Sequence, residues 1–203
     1  MNSKDQKLFI KRYDKSFEKF GISSKALGWS GGKERQYKRF KAAIDFTLFE
    51  NRPIKTILDI GCGLGHFGLW LREKKYSIDY KGIDINPNFI KIGKDHYDLN
   101  ISNDDILSIP NNSYDLVVAN GIFNFKLKYE DHEKYIKTMM EKFMDIARVG
   151  IAVDFMSMYV DYIQPNSFHC SESLIIDTLK TRTKKYILRN DYLDFEFIVY
   201  VYL

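Results

Sequence analysis

The sequence predicts an α/β protein with a seven-stranded, mostly parallel, doubly wound sheet that closes on a terminal antiparallel hairpin. Three observations carry this. Short apolar runs alternate with helix-period segments from residue 56 to residue 181; two strand-like runs joined by a short turn end the chain; three glycines at alternate positions mark the first strand-to-helix junction. Alternating β and α elements bury a parallel sheet between two helical layers, whereas a short turn allows only antiparallel pairing.

The elements follow in order. Residues 33–50 read as a helix, with Tyr37, Phe40, Ile44 and Thr47/Leu48 on one face, and Pro53 breaks the chain before a first buried strand, Thr56–Ile60. After the glycines a helix runs from His66 to about Lys75, and Ile78–Ile85 supplies a second strand. Asn86-Pro87 opens the next helix, with proline at a favourable early position, and that helix runs to about Asp98. A short strand at Leu99–Ile101, a loop through Pro110, and the strand Tyr114–Asn120 come next. A helix over 131–148 leads to a fifth strand, Val149–Phe155, and after a long loop Ser171–Thr181 reads as a helix. Lys185–Arg189 and Phe195–Leu203 form the hairpin. The whole chain, 1–203, reads as one domain, with 1–50 as an N-terminal helical or lid segment.

Composition narrows the classes of partner. The net charge of +4, from 31 Lys and Arg against 27 Asp and Glu, is spread without a basic stripe, which disfavours a nucleic-acid partner. Cys62 and Cys170 lie far apart, so neither a disulfide framework nor a zinc knuckle is indicated, and a reducing cytoplasm is expected. The longest apolar stretch, 149–160, is interrupted by Asp154 and too short to span a bilayer. No metal is expected, and a homodimer stands as a candidate assembly.

The segment Ile57-Leu-Asp59-Ile-Gly61-Cys62-Gly63-Leu-Gly65-His-Phe is the most informative. Glycines at these positions let the backbone turn through positive φ and approach a ligand, while the helix that follows offers free N–H groups. Gly63, Gly65 and Gly68 also match a dinucleotide fingerprint, but Gly63 comes two residues after the turn glycine Gly61. Asp59 upstream, with no Lys or Arg between Ile57 and Trp70, suits a cation better than a pyrophosphate.

This Asp-x-Gly-x-Gly-x-Gly loop resembles motif I of the class I, Rossmann-like S-adenosylmethionine-dependent methyltransferases, and the resemblance covers most of the chain. It implies S-adenosylmethionine as cofactor, S-adenosylhomocysteine as product, and a loop formed by Asp59, Gly61, Cys62, Gly63 and Gly65 around the methionyl-adenosine. Asp84 matches the acidic position that takes the ribose hydroxyls, and Ile85 would pack on adenine. Asp105, preferred over Asp104, matches the residue that bonds the adenine amine, with Ile106 beside it; a turn or cap role is the ordinary alternative. Asn120 stands where the family lines the methyl-transfer cleft. Asn120-Gly-Ile-Phe123 lacks the two prolines of nucleobase N-methyltransferases, which weakens a nucleic-acid acceptor. The side chain of Cys62 is expected to be an inert filler.

A narrower likeness, to a bacterial subfamily of small methyltransferases, rests on Ala26-Leu-Gly-Trp29, Gln36, Arg39-Phe40, Gly121-Ile-Phe-Asn124 and Leu188-Arg-x-Asp-Tyr192. It implies small-molecule acceptors such as sugar hydroxyls or phosphate-type oxygens in surface-polysaccharide or natural-product synthesis. Arg39 reads either as a surface cation or as a clamp on the cofactor carboxylate. Trp29 reads as a core aromatic or as part of a lid. His169, Tyr159, Asp161 and Tyr162 follow the fifth strand, on the edge where α/β proteins bind ligands. A hydroxyl acceptor needs a base, for which His169 and Asp161 are the first candidates; an anionic oxygen needs none. An RNA or protein methyltransferase and a non-catalytic cofactor-binding subunit remain the alternatives.

Overall fold

Strand β1 (Thr56–Ile60) lies in the interior of the sheet, since every residue after Thr56 in it is buried, which an interior strand with both faces covered allows. In the computed structural model, which describes residues 1–29, 31–45 and 52–203, β1 pairs in parallel with β2 (Asp79–Ile83) on one side and β4 (Tyr114–Ala119) on the other. β3 (Ile101–Ser102) extends the sheet beyond β2, and β5 (Ala147–Met156) beyond β4. The hairpin completes it: β7 (Glu196–Tyr202) inserts antiparallel to β5, and β6 (Tyr186–Arg189) forms the edge, for the order β3-β2-β1-β4-β5-β7-β6.

Two apolar cores flank the sheet, and period-two alternation along the strands feeds both. Leu58, Val117, Ile151 and Val199 meet Ile136, Met140 and Phe143 of α5 (His132–Ile146) and Ile175 of α6 (Glu172–Leu179). Ile57, Leu116, Ala152 and Tyr200 meet Phe40 of α2 (Gly32–Ala43), Phe67 and Trp70 of α3 (His66–Glu73), and Ile90 of α4 (Pro87–Asp95). Both faces bury side chains, so the strands read as continuous apolar runs.

The third strand, expected at Leu99–Ile101, lies at Ile101–Ser102, and the larger differences from the expected elements are at the N-terminal side. The helix expected over 33–50 ends at Ala43; the Ala42 carbonyl accepts the Tyr200 hydroxyl at 2.7 Å and the Asp45 N–H at 3.2 Å, which closes the helix there. The expected face positions Thr47/Leu48 lie outside the described residues. Within the N-terminal segment the 18-residue helix α1 (Ser3–Phe20), capped by the Asn2 side chain, had no predicted bounds. Its one apolar row, Phe9, Tyr13 and Phe17, packs edge-on against Phe125 and Phe89, in a helix otherwise rich in Lys and Asp. Polar ties fix its position: buried Asp5 accepts the N–H groups of Lys128 and Tyr129, and Asp14 accepts the side-chain amides of Asn86 and Asn88. α1 therefore spans from the start of α4 to the β4–α5 loop.

Candidate functional site

The chain reverses its winding between β1 and β4, so the loops after these two strands diverge and leave a crevice at their carboxyl ends. A cavity of about 1500 Å³ opens there, walled by the glycine loop, the ends of β2, β4 and β5, and α1. That exceeds the roughly 300–1,000 Å³ of a typical single-ligand pocket, so two molecules fit side by side.

The glycine loop forms one wall. Gly61, Gly63 and Gly65 have φ of 68°, 57° and 80°, a region side-chain-bearing residues rarely occupy. The loop is pinned to the end of β2: the N–H groups of Gly61 and Cys62 donate to the Ile83 carbonyl, and Gly63 N–H donates to Asp84 Oδ2 at 2.7 Å. The other oxygen of Asp84 accepts Asn86 N–H at 2.8 Å. Each Asp84 oxygen keeps a second lone pair, and the carboxylate lines the cavity half-buried; burial raises its pKa against the lowering by these donors. Asp59 lies beneath the loop, accepts the Tyr80 hydroxyl at 2.8 Å, and is pushed up to about 7 by burial. Cys62 is buried with its thiol pushed well up, the inert filler expected from the sequence. α3 starts directly at the loop with no side chain capping its first turn, leaving N–H donors open there.

Ile85, Asp105 and Ile106 line the next stretch of wall. Asp105 Oδ1 caps the 3₁₀ turn Ile106–Ser108 through Leu107 N–H, so the cap reading is realised in part and the other oxygen stays open to solvent. Asp104 is held by Lys81 at 3.2 Å, which leaves Asp105 as the less committed of the pair.

Past β4, Asn120 lines the cavity with both side-chain polar atoms buried and without hydrogen-bond partners among the described residues. Gly121, at φ 73°, has the Trp29 ring laid against it; a Cβ there would meet the indole at 2.5 Å. Trp29 is half-buried in the wall, with its ring 4.2 Å from the Arg39 guanidinium. The clamp expected of Arg39 finds an internal partner: Nε donates to Glu196 Oε2 at 2.7 Å and Nη2 donates to Glu196 Oε1, so the bidentate face is taken by β7. Nη1 alone has no partner among the described residues. The pairing answers an electrostatic need, since Asp154, buried on β5 and pushed up to about 7 chiefly by burial and then by Glu196, lies close by; its Oδ1 accepts Gly121 N–H.

The four residues expected to face an acceptor separate. Tyr159, Asp161 and Tyr162 sit on the exposed rim of the cavity, Tyr159 being 83% exposed. His169 lies deeper: its Nδ1 is 2.7 Å from the Ser157 carbonyl, an acceptor only, so Nδ1 carries the proton and Nε2 keeps its lone pair. Nε2 is buried without a partner in a residue that lines the cavity. His132, by contrast, spends both ring nitrogens on Leu127 N–H and the Phe123 carbonyl, and burial lowers its pKa to about 4.

The cavity's charge is opposite to that of the whole chain. Among the described residues eight carboxylates line it (Asp59, Asp84, Asp104, Asp105, Glu130, Asp161, Asp194, Glu196) against two cations, Arg12 and Arg39, and no Lys. The sequence assigned no site role to Tyr13 and Arg12 of α1, to Asp154 and Glu196, or to Asn124 beyond its place in the Gly121-Ile-Phe-Asn124 motif. The signals were faint: an i, i+4 aromatic row, and single acids inside apolar strands.

Residues 57–143 match a family model described as a methyltransferase domain. A protein of Mycobacterium tuberculosis named as a methyltransferase is 27% identical over 152 residues, 72% of this chain and 92% of its own length. The malonyl-[acyl-carrier protein] O-methyltransferase of Acetivibrio thermocellus is 26% identical over 118 residues, 55% of this chain and 41% of that protein. Among solved structures, the chain is similar to the magnesium protoporphyrin IX methyltransferase of Synechocystis PCC 6803 with bound SAH, at TM-score 0.67 and 13% identity over 98% of this chain and 96% of that one. At that identity the likeness concerns the fold, including the terminal hairpin.

Proposed function

We propose that this chain, a class I S-adenosylmethionine-dependent methyltransferase, moves a methyl group onto a hydroxyl of a small-molecule acceptor held between the cofactor wall and the segments after β4 and β5. The residues fit the cofactor: a glycine cradle at positive φ, an open helix N-terminus for its carboxylate, and acidic walls for its sulfonium and ammonium groups. Asp84 would hold the ribose hydroxyls, Asp105 the adenine amine with Ile85 and Ile106 against the ring, and Asn120 the methionyl end. Gly61, Gly63, Gly65 and Cys62 offer backbone, Asp59 a buried carboxyl, and Trp29 with Arg39 the far wall. When bound, S-adenosylmethionine supplies an electrophilic sulfonium methyl.

One observation carries the choice of a hydroxyl: the Ser157 carbonyl fixes His169 in the tautomer whose Nε2 can take a proton. His169 accepts the hydroxyl proton as the oxygen gains its methyl group, and the surrounding side chains align the two molecules and exclude water. Asp161 and Tyr159, on the rim, contact the acceptor's outer part. The excess of carboxylates favours a hydroxyl over a phosphate-type oxygen and a small molecule over a nucleic acid. Among the described residues no helix is long and apolar enough to cross a membrane.

The test is calorimetric titration with S-adenosylmethionine, S-adenosylhomocysteine and NADH. The expected result is micromolar affinity for the first two and none for NADH. A folded protein that binds NADH in their place overturns the proposal.

A further inference from the structure

We infer that the acceptor is an uncharged, largely apolar molecule presenting a hydroxyl, seated in the cavity against Asn124, His169, Met139, Met156 and Met158, which all line it. This rests on the methyltransferase reading above and narrows its substrate class.

Polar complementarity gives the first argument. Asn124 and His169 both line the cavity, and the atoms they leave buried and unpartnered are acceptors: Asn124 Oδ1, and His169 Nε2 with its proton on the other nitrogen. Buried acceptors require a donor, and leaving one unmatched costs about 1–3 kcal/mol. A hydroxyl supplies a donor. A phosphate or carboxylate oxygen would set lone pairs against lone pairs.

Three methionines give the cavity an adaptable apolar surface. Met139, Met156 and Met158 line it, and methionine's unbranched thioether conforms to irregular apolar shapes. Met158 is 50% exposed, an apolar side chain turned to the cavity rim rather than to a core.

Charge gives the third argument. The guanidinium fork of Arg39 is taken by Glu196, which leaves only its Nη1 open, so among the described residues lining the cavity the cation with no carboxylate partner is Arg12, out on α1 and stacked on Phe125 at 3.6 Å. Against the carboxylates around the cavity, an added negative group is repelled.

The experiment uses the full chain loaded with S-adenosylhomocysteine and two matched probes, 2,3-dihydroxynaphthalene and its 6-sulfonate, titrated by calorimetry. The neutral diol is expected to bind at least about tenfold more tightly than the sulfonate. In Met158→Ser its affinity is expected to fall at least about threefold while S-adenosylhomocysteine binding is unchanged. A sulfonate that binds as tightly as the diol overturns the inference. So does the absence of binding by either probe to protein that binds S-adenosylhomocysteine, an outcome that leaves the methyltransferase reading standing. Failure to bind S-adenosylhomocysteine overturns that reading, and the inference with it.

Discussion

Replacing Arg39 with methionine tests whether the ion pair behind the cavity is structural. The guanidinium of Arg39 and the carboxylate of Glu196 are 6% and 3% exposed, they bond in bidentate fashion, and Trp29 covers the cation. Asp154, buried nearby, adds a second carboxylate to the same cation's surroundings. Methionine retains much of the stem's volume, so the loss is chiefly electrostatic: two buried carboxylates without a counter-charge. Breaking a buried pair from one side costs about 3–5 kcal/mol. For a chain of 203 residues that lowers Tm by roughly 7–12 °C. The deficit should depend on pH, because protonation of Asp154, pushed up to about 7, removes part of the uncompensated charge; it is expected to be larger at pH 8 than at pH 5. Arg39→Met/Glu196→Gln should recover at least half of it. Denaturant melts of wild type, single and double variants at both pH values decide the matter. A single-variant loss under about 1 kcal/mol at pH 8, the size of an exposed pair, or a deficit equal at both pH values, would refute the reasoning.

Asp84→Ala removes the acceptor that pins Gly63 and Asn86 and the proposed ribose contact, so S-adenosylhomocysteine affinity is expected to fall at least about tenfold by calorimetry, with little loss if the loop is merely a turn. Gly63→Val forces a branched side chain to φ 57° with its Cβ 2.8 Å from Leu27, and cofactor binding should be abolished in protein that still melts cooperatively. His169→Asn should slow methyl transfer by about 10²–10⁴ while S-adenosylhomocysteine affinity holds; parallel loss of both would reduce His169 to a structural role. Asp154, whose pKa is raised to about 7, contributes its stability in full below the unfolded value of roughly 4 and loses it as pH rises through 7. Asp154→Asn keeps an acceptor for Gly121 N–H, so its stability curve should fall less steeply than wild type between pH 4 and 7; identical slopes would remove Asp154 as the source.

The sheet was legible because its strands are interior: Thr56–Ile60, Tyr114–Ala119 and Ala147–Met156 are apolar at nearly every position, a pattern strong enough to survive without neighbours. The glycine loop was legible for a related reason, since Gly61, Gly63 and Gly65 need a backbone geometry that local sequence alone encodes. α1 was not legible in detail. Its apolar row is one side chain wide, and the rings it packs against, Phe89 and Phe125, lie more than seventy residues away.

By itself, then, the sequence determined the alternation of strands and helices, the closing hairpin and the position of the glycine loop, all of which follow from short-range periodicity and from φ angles that few residues adopt. Only the tertiary structure decided what Arg39 pairs with, which nitrogen of His169 stays basic, and that the cavity is acidic in a chain of net positive charge. Those properties belong to contacts such as Arg39 with Glu196, 157 residues apart, and a side chain's charge state and hydrogen-bond role are set by the neighbours that burial forces upon it.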